Sequence, residues 1–214
     1  NRLFGMATKT RRGTAFDYEY APSVSVLFGA FVSVAIVGWL VSTMLTAIHV
    51  FALPAVPADA PVQGSIEVIT SPWAYVFGVP LATLGAFYYL TTIGLTVWWF
   101  DTRHPLIIKI LTPITATGVL ASGYFVYLQL VTIGEICPFC MVSAAATVML
   151  LSLELAILRR SDPPSFSALT SDLRELLAGT NHAVVVVPVA VGFVTIAGMF
   201  VVTLLPLPDP VPFA

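Results

Sequence analysis

The chain has 214 residues, of which 58% are hydrophobic and only 9% charged, with a mean hydropathy of +0.95. That balance excludes an ordinary water-soluble domain and makes lipid the solvent. A formal net charge of −2 supplies no basic surface for nucleic acid, so no nucleic-acid partner is expected.

A spanning helix needs about 20 apolar residues, so stretches free of Asp, Glu, Lys and Arg mark the candidates. Five occur, at 20–58, 68–100, 110–134, 136–153 and 176–208. They predict an all-α membrane protein with five transmembrane helices, near 24–51, 74–99, 107–132, 137–158 and 183–205. Residues 1–23 carry Arg2, Lys9, Arg11 and Arg12. The first span is followed by further spans and reads as a signal anchor rather than a cleaved leader. The loop 52–72 opens with Pro54, Pro57 and Pro61, which oppose a regular helix. Its second part, Ser65–Thr70, is compatible with a half-helix that re-enters at Ser71-Pro72, with proline in a first helical position.

Between the second and third spans lie Arg103 and Lys109, and between the fourth and fifth lie Arg159, Arg160 and Arg174. All nine cations therefore fall on one side of the membrane. By the positive-inside rule that side is cytoplasmic, which predicts a multi-pass inner (plasma) membrane protein with its N-terminus inside and its C-terminus outside. In the segment 159–182, Phe166, Leu169, Leu173, Leu176 and Leu177 recur at helical spacing, as expected of an amphipathic helix on the inner surface. The remainder, 183–214, is the fifth span and a proline-rich outer tail.

Only two cysteines occur, Cys137 and Cys140, in "GEICPFCM" at the start of the fourth span. A C-x-x-C at a helix start puts two thiols within disulfide reach where free N–H groups and the helix dipole favour thiolate. A structural disulfide across so short a loop would stabilise little. Zinc would need two more ligands, and His104 and His182 lie on the opposite side, so no metal is expected. Redox chemistry and a pair of inert thiols remain the two readings of the spacing itself.

The stretch "GVLASGYFVYLQLVTIGEICPFCMVSAAATVMLLSLEL" resembles the third and fourth helices of bacterial vitamin K epoxide reductase homologues, and "SPWAYVFGVPLATLGAFYYL" resembles their second-helix entry. The resemblance covers 65–155. It implies a four-helix bundle over 24–158 that holds a quinone cofactor near the outer surface, with the fifth helix peripheral to it. It also implies that Cys140 faces the quinone, that Cys137 exchanges disulfides with a loop cysteine pair that collects electrons from an extracytoplasmic thiol protein, and that Ser71 lies at the quinone end. One departure stands out: Ser65 occupies the position of the family's second loop cysteine, and 52–64 contains no cysteine to serve as the first. No thioredoxin-like domain is expected after the fifth span either.

Aromatic residues at the ends of the second and third helices suit either a ring pocket or an interfacial belt. Tyr124 and Tyr127 are the candidates for quinone contact, with simple bundle packing beside Gly118, Ala121, Ser122 and Gly123 as the alternative. Glu135 reads as a marker of the water interface, or as a proton acceptor during thiol exchange. Glu154 is expected to snorkel or to pair with Arg159 or Arg160. His49 reads as an interfacial histidine, with a quinone oxygen or a haem or chlorin metal as alternative partners. Two functions compete: a membrane thiol:quinone oxidoreductase, and a non-catalytic subunit of a larger photosynthetic or respiratory membrane complex.

Overall fold

The computed structural model describes residues 20–51 and 63–161. The expected surface helix within 159–182, the fifth span and the outer tail lie outside the described residues apart from 159–161, as do residues 52–62 of the loop and the side chain of His49. The protein is an all-α membrane protein. Its helices are α1 (Pro22–Phe51), α2 (Gln63–Thr70), α3 (Leu81–Thr102), α4 (Pro105–Tyr127, continued as a π turn over Leu128–Ile133) and α5 (Pro138–Ser161). Among the described residues, four runs are long and apolar enough to cross a membrane: Pro22–Ile48, Leu81–Thr102, Pro105–Ile133 and Pro138–Ser161.

The second span starts later than its sequence indicates. Where a helix from residue 74 is expected, Pro72–Ala74 form a single 3-10 turn. An antiparallel hairpin then pairs Tyr75 with Pro80 and Val76 with Val79, with β1 at Tyr75–Val76 and β2 at Val79–Pro80. Phe77 and Gly78 form its tip with φ of 52° and 82°, the two positive values that a type I′ turn requires. Phe77 therefore stands fully exposed at the tip.

α1 packs along α3 and α5, α5 packs along α4, and α4 closes the ring more lightly against α3. Small residues set the close approaches: Gly38 on α1 receives the ring of Tyr89, and Gly118 on α4 receives the ring of Tyr88. The Tyr89 hydroxyl then crosses to α5 and donates to Ser143 O at 2.6 Å. At the end of the bundle away from the cysteines, Phe28 stacks on Trp99 with centroids 4.0 Å apart. The Arg103 guanidinium covers the other aromatic surface there, 4.4 Å from the Trp99 centroid, and donates to Ser25 Oγ at 2.7 Å. Arg103 and His104 make the α3–α4 turn, Arg103 in the left-handed conformation and His104 accepting the Leu106 N–H at Nδ1.

Glu154 neither snorkels nor pairs with an arginine. It is fully buried, its Oε1 accepts from Thr112 Oγ1 of α4 at 3.1 Å, and Oε2 has no partner. Arg159 and Arg160 lie exposed in the last turn of α5. The helical register explains this difference. Glu154 falls on the same face as the buried Leu150 and Ile157, at spacings of four and three residues.

Candidate thiol site and apolar cavity

The site is built on the start of α5. Pro138 takes the first helical position, where a missing N–H leaves nothing unpaired. Cys137 consequently becomes the capping residue, its carbonyl accepting from Met141 N at 3.0 Å and its sulfur accepting from Cys140 N at 3.2 Å. A sulfur in this position faces unpaired N–H groups and the positive end of the helix dipole, both of which favour the thiolate. The Cys137 pKa is pulled below the ordinary thiol value. The Cys140 thiol, donating to the Cys137 sulfur, is the largest cause; burial opposes it, and Ser65 and the backbone N–H groups of Cys140 and Phe139 assist. The two cysteines are free thiols in this structure.

Cys137 is fully buried, and α2 is what covers it. Val68 and Ile69 of α2 pack with Leu45 of α1 around the sulfur, and Ser65 lies in the same buried layer at 3% exposure. Ser65 Oγ has no hydrogen-bond partner in its present orientation, so its help to the thiolate calls for a small rotation of the hydroxyl. The approach of α2 to the turn before Cys137 depends on Gly64: a Cβ there would stand 2.9 Å from Ile136 O and 3.1 Å from Glu135 Oε2.

The π turn at the end of α4 delivers the chain to Cys137. Gln129 holds that turn at two points, its carbonyl accepting from Gly134 N at 2.9 Å and its side-chain Oε1 accepting from Cys137 N at 2.9 Å. Gly134 sits at φ 80°, a conformation that glycine takes without strain. Gln129 is not among the sequence candidates. The available signal was modest: it is the sole amide side chain in the charge-free stretch 110–134, and an amide in a bilayer calls for a partner.

Beside the thiols lies an apolar cavity of about 390 Å³, within the range that receives small organic ligands. Ser71 and Trp73 come from the segment between α2 and α3, Gly85, Tyr88 and Tyr89 from α3, Gly118, Ala121 and Phe125 from α4, and Cys140, Ser143 and Thr147 from α5. Cys140 is part of this wall, whereas Cys137 lies behind it. Ser71 is tied back by its hydroxyl, which donates to Val68 O at 2.8 Å.

Tyr124 and Tyr127 are elsewhere. They are 53% and 56% exposed on the outward face of α4 and do not line the cavity. A helix turns about 100° per residue, so Phe125 and Val126, between them in sequence, supply the wall instead. Among the described residues no cluster of His, Cys, Asp and Glu is arranged to hold a metal.

The fold and the site together define a membrane-spanning helical bundle with a thiol pair beside an apolar cavity. The model of the vitamin K epoxide reductase family matches residues 29–155, which is more than half of the chain and takes in α1 from Gly29, α2, both cysteines and most of α5. The chain belongs to that family, and is thus of the membrane thiol–quinone oxidoreductase-like kind. Comparison with curated proteins returns no match.

Proposed function

We propose that the protein is a membrane thiol:quinone oxidoreductase in which Cys137 and Cys140 are the redox pair and the cavity takes the quinone ring. The observation that carries this reading is the position of Cys140 in the wall of an apolar cavity, with a thiolate-stabilised Cys137 directly behind it. In the reaction Cys137 and Cys140 would exchange two S–H bonds for one S–S bond, giving up two electrons and two protons, and a quinone held in the cavity would supply the acceptor for both. An extracytoplasmic dithiol protein then attacks the new disulfide, so that its own thiols leave as a disulfide and Cys137 and Cys140 return to the dithiol state. Ser71 helps to shape the cavity. The aromatic and small side chains that α3 and α4 give to the cavity fit a flat ring.

The membrane orientation we propose has the thiol end of the bundle at the outer face of the plasma membrane and Arg103, Arg159 and Arg160 at the cytoplasmic face, consistent with the positive-inside rule. A second reading has its own support. Cys137 is sealed under α2, and Ser65 supplies a hydroxyl where a relaying thiol would stand, which suits a non-catalytic subunit of a larger membrane complex that keeps the fold. Purified reduced protein in lipid nanodiscs separates the two. Stoichiometric disulfide formation between Cys137 and Cys140, with one quinol formed per disulfide, supports the oxidoreductase. A dithiol indifferent to quinone, in a chain that co-purifies with large partners in fixed ratio, supports the subunit.

A further inference from the structure

The cavity wall holds few hydrogen-bond donors, and most are already spent on nearby carbonyls. Ser71 donates to Val68 O, Thr117 to Pro113 O, Thr147 to Ala144 O and Tyr89 to Ser143 O, all at 2.6–2.8 Å. Two wall residues differ from them: Tyr88, whose buried hydroxyl has no partner and lies against Gly118, and Gln129. Gln129 is 3% exposed and lies on the cavity wall, and its side chain is only half used. The Cys137 N–H can donate solely to the carboxamide oxygen, which fixes the orientation of the amide: Oε1 on Cys137 N at 2.9 Å, NH2 turned away from it. None of the described residues accepts from that NH2 group. An amide donor at membrane depth without an acceptor is unfavourable, so the NH2 group calls for a partner.

We propose that Gln129 Nε2 donates a hydrogen bond to a ring carbonyl of the ligand in the cavity, making Gln129 the residue that selects a carbonyl-bearing ring and sets its height against the thiol pair. The assignment rests on the proposed quinone reading. It adds a specific contact: one side chain grips the Cys137 backbone through its oxygen and the ring through its nitrogen. The ring is thereby indexed to the start of α5, where Cys140 enters the wall.

Binding is measured on the full chain in nanodiscs with the pair held as its disulfide, so that no electrons are passed. The probes are menadione and 2-methylnaphthalene, a ring of similar shape without carbonyls. Gln129→Leu is expected to weaken menadione at least about tenfold, the factor for losing one buried hydrogen bond of ordinary strength, and to leave 2-methylnaphthalene unchanged. Gln129→Glu provides a folded counterpart. Its protonated carboxyl both accepts and donates, so menadione affinity should recover as pH falls, with no such recovery in Gln129→Leu. An equal loss for both probes would make Gln129 a packing residue and overturn the assignment. Wild-type binding of menadione with an unaffected Gln129→Leu variant overturns the assignment alone, whereas a wild type that binds no menadione overturns the quinone reading and the assignment with it.

Discussion

Replacing Ser65 by cysteine tests the geometry of α2 over the thiol pair. Ser65 and Cys137 share one buried layer, and the Ser65 hydroxyl is among the groups that depress the Cys137 pKa. A thiol at position 65 should therefore meet the Cys137 thiolate without a large backbone shift and, under mild oxidation, form a 65–137 disulfide. The loop so closed spans about 72 residues, for which chain entropy gives about 4 kcal/mol of stabilisation. That figure is an upper bound, because spans that stay inserted when the bundle loosens have less freedom to lose. The assay is peptide mapping by mass spectrometry under non-reducing conditions, with a count of remaining thiols. The expected result for Ser65→Cys is a 65–137 cross-link, one free thiol at Cys140, and a higher midpoint of thermal unfolding that reductant reverses. An introduced thiol that stays free under oxidant, or pairs with Cys140 instead, would refute the placement of α2.

Cys140→Ala removes the largest cause of the depressed Cys137 pKa. A titration followed by thiolate ultraviolet absorbance should show a lower inflection in the reduced wild type than in the variant; coincident curves would contradict the thiol-to-thiolate bond. Because the folded pKa lies below the unfolded value of about 8.5, the stability that this thiolate lends the reduced protein is present in full above that pH and is lost as pH falls through the lowered folded value. Gly38→Val drives a side chain into the Tyr89 ring and should destabilise the bundle by about 1–3 kcal/mol, read as a lower unfolding midpoint in detergent; an unchanged midpoint means α1 and α3 are not in close contact there. Glu154→Leu should be neutral or stabilising, since Thr112 keeps its bond to Ile108 O at 3.0 Å and the substitution removes a buried, half-satisfied carboxyl. A loss of more than about 2 kcal/mol would show that Glu154 has a structural role beyond its bond to Thr112.

The first four spans were legible because charge is so expensive in hydrocarbon that its absence over about 20 residues has few other meanings. Local chemistry was legible for the same kind of reason: Pro138 after Cys137 announces a helix start, and a helix start announces a capped, stabilised sulfur. What the sequence concealed depends on rotation about a helix axis or on distant chain. Tyr124 and Tyr127 are three residues apart and so share a face, but which face meets the cavity is set by how α4 packs against α3 and α5, and it is the other one. Glu154 looked like a snorkelling group from its distance to Arg159, and only the depth of Leu150 and Ile157 on its own face shows that it turns inward. The hairpin at Tyr75–Pro80 hid among aromatic and aliphatic residues that extend a span in composition, with the Phe77-Gly78 turn as its sole marker. Ser65 illustrates the limit most sharply. Sequence register identifies it as the place of an absent thiol, but only the fold shows that its hydroxyl lies in the same buried layer as Cys137. The serine thus lacks the nucleophile while keeping a donor beside the thiolate, and α2 remains packed over a sulfur that it can stabilise but not exchange with.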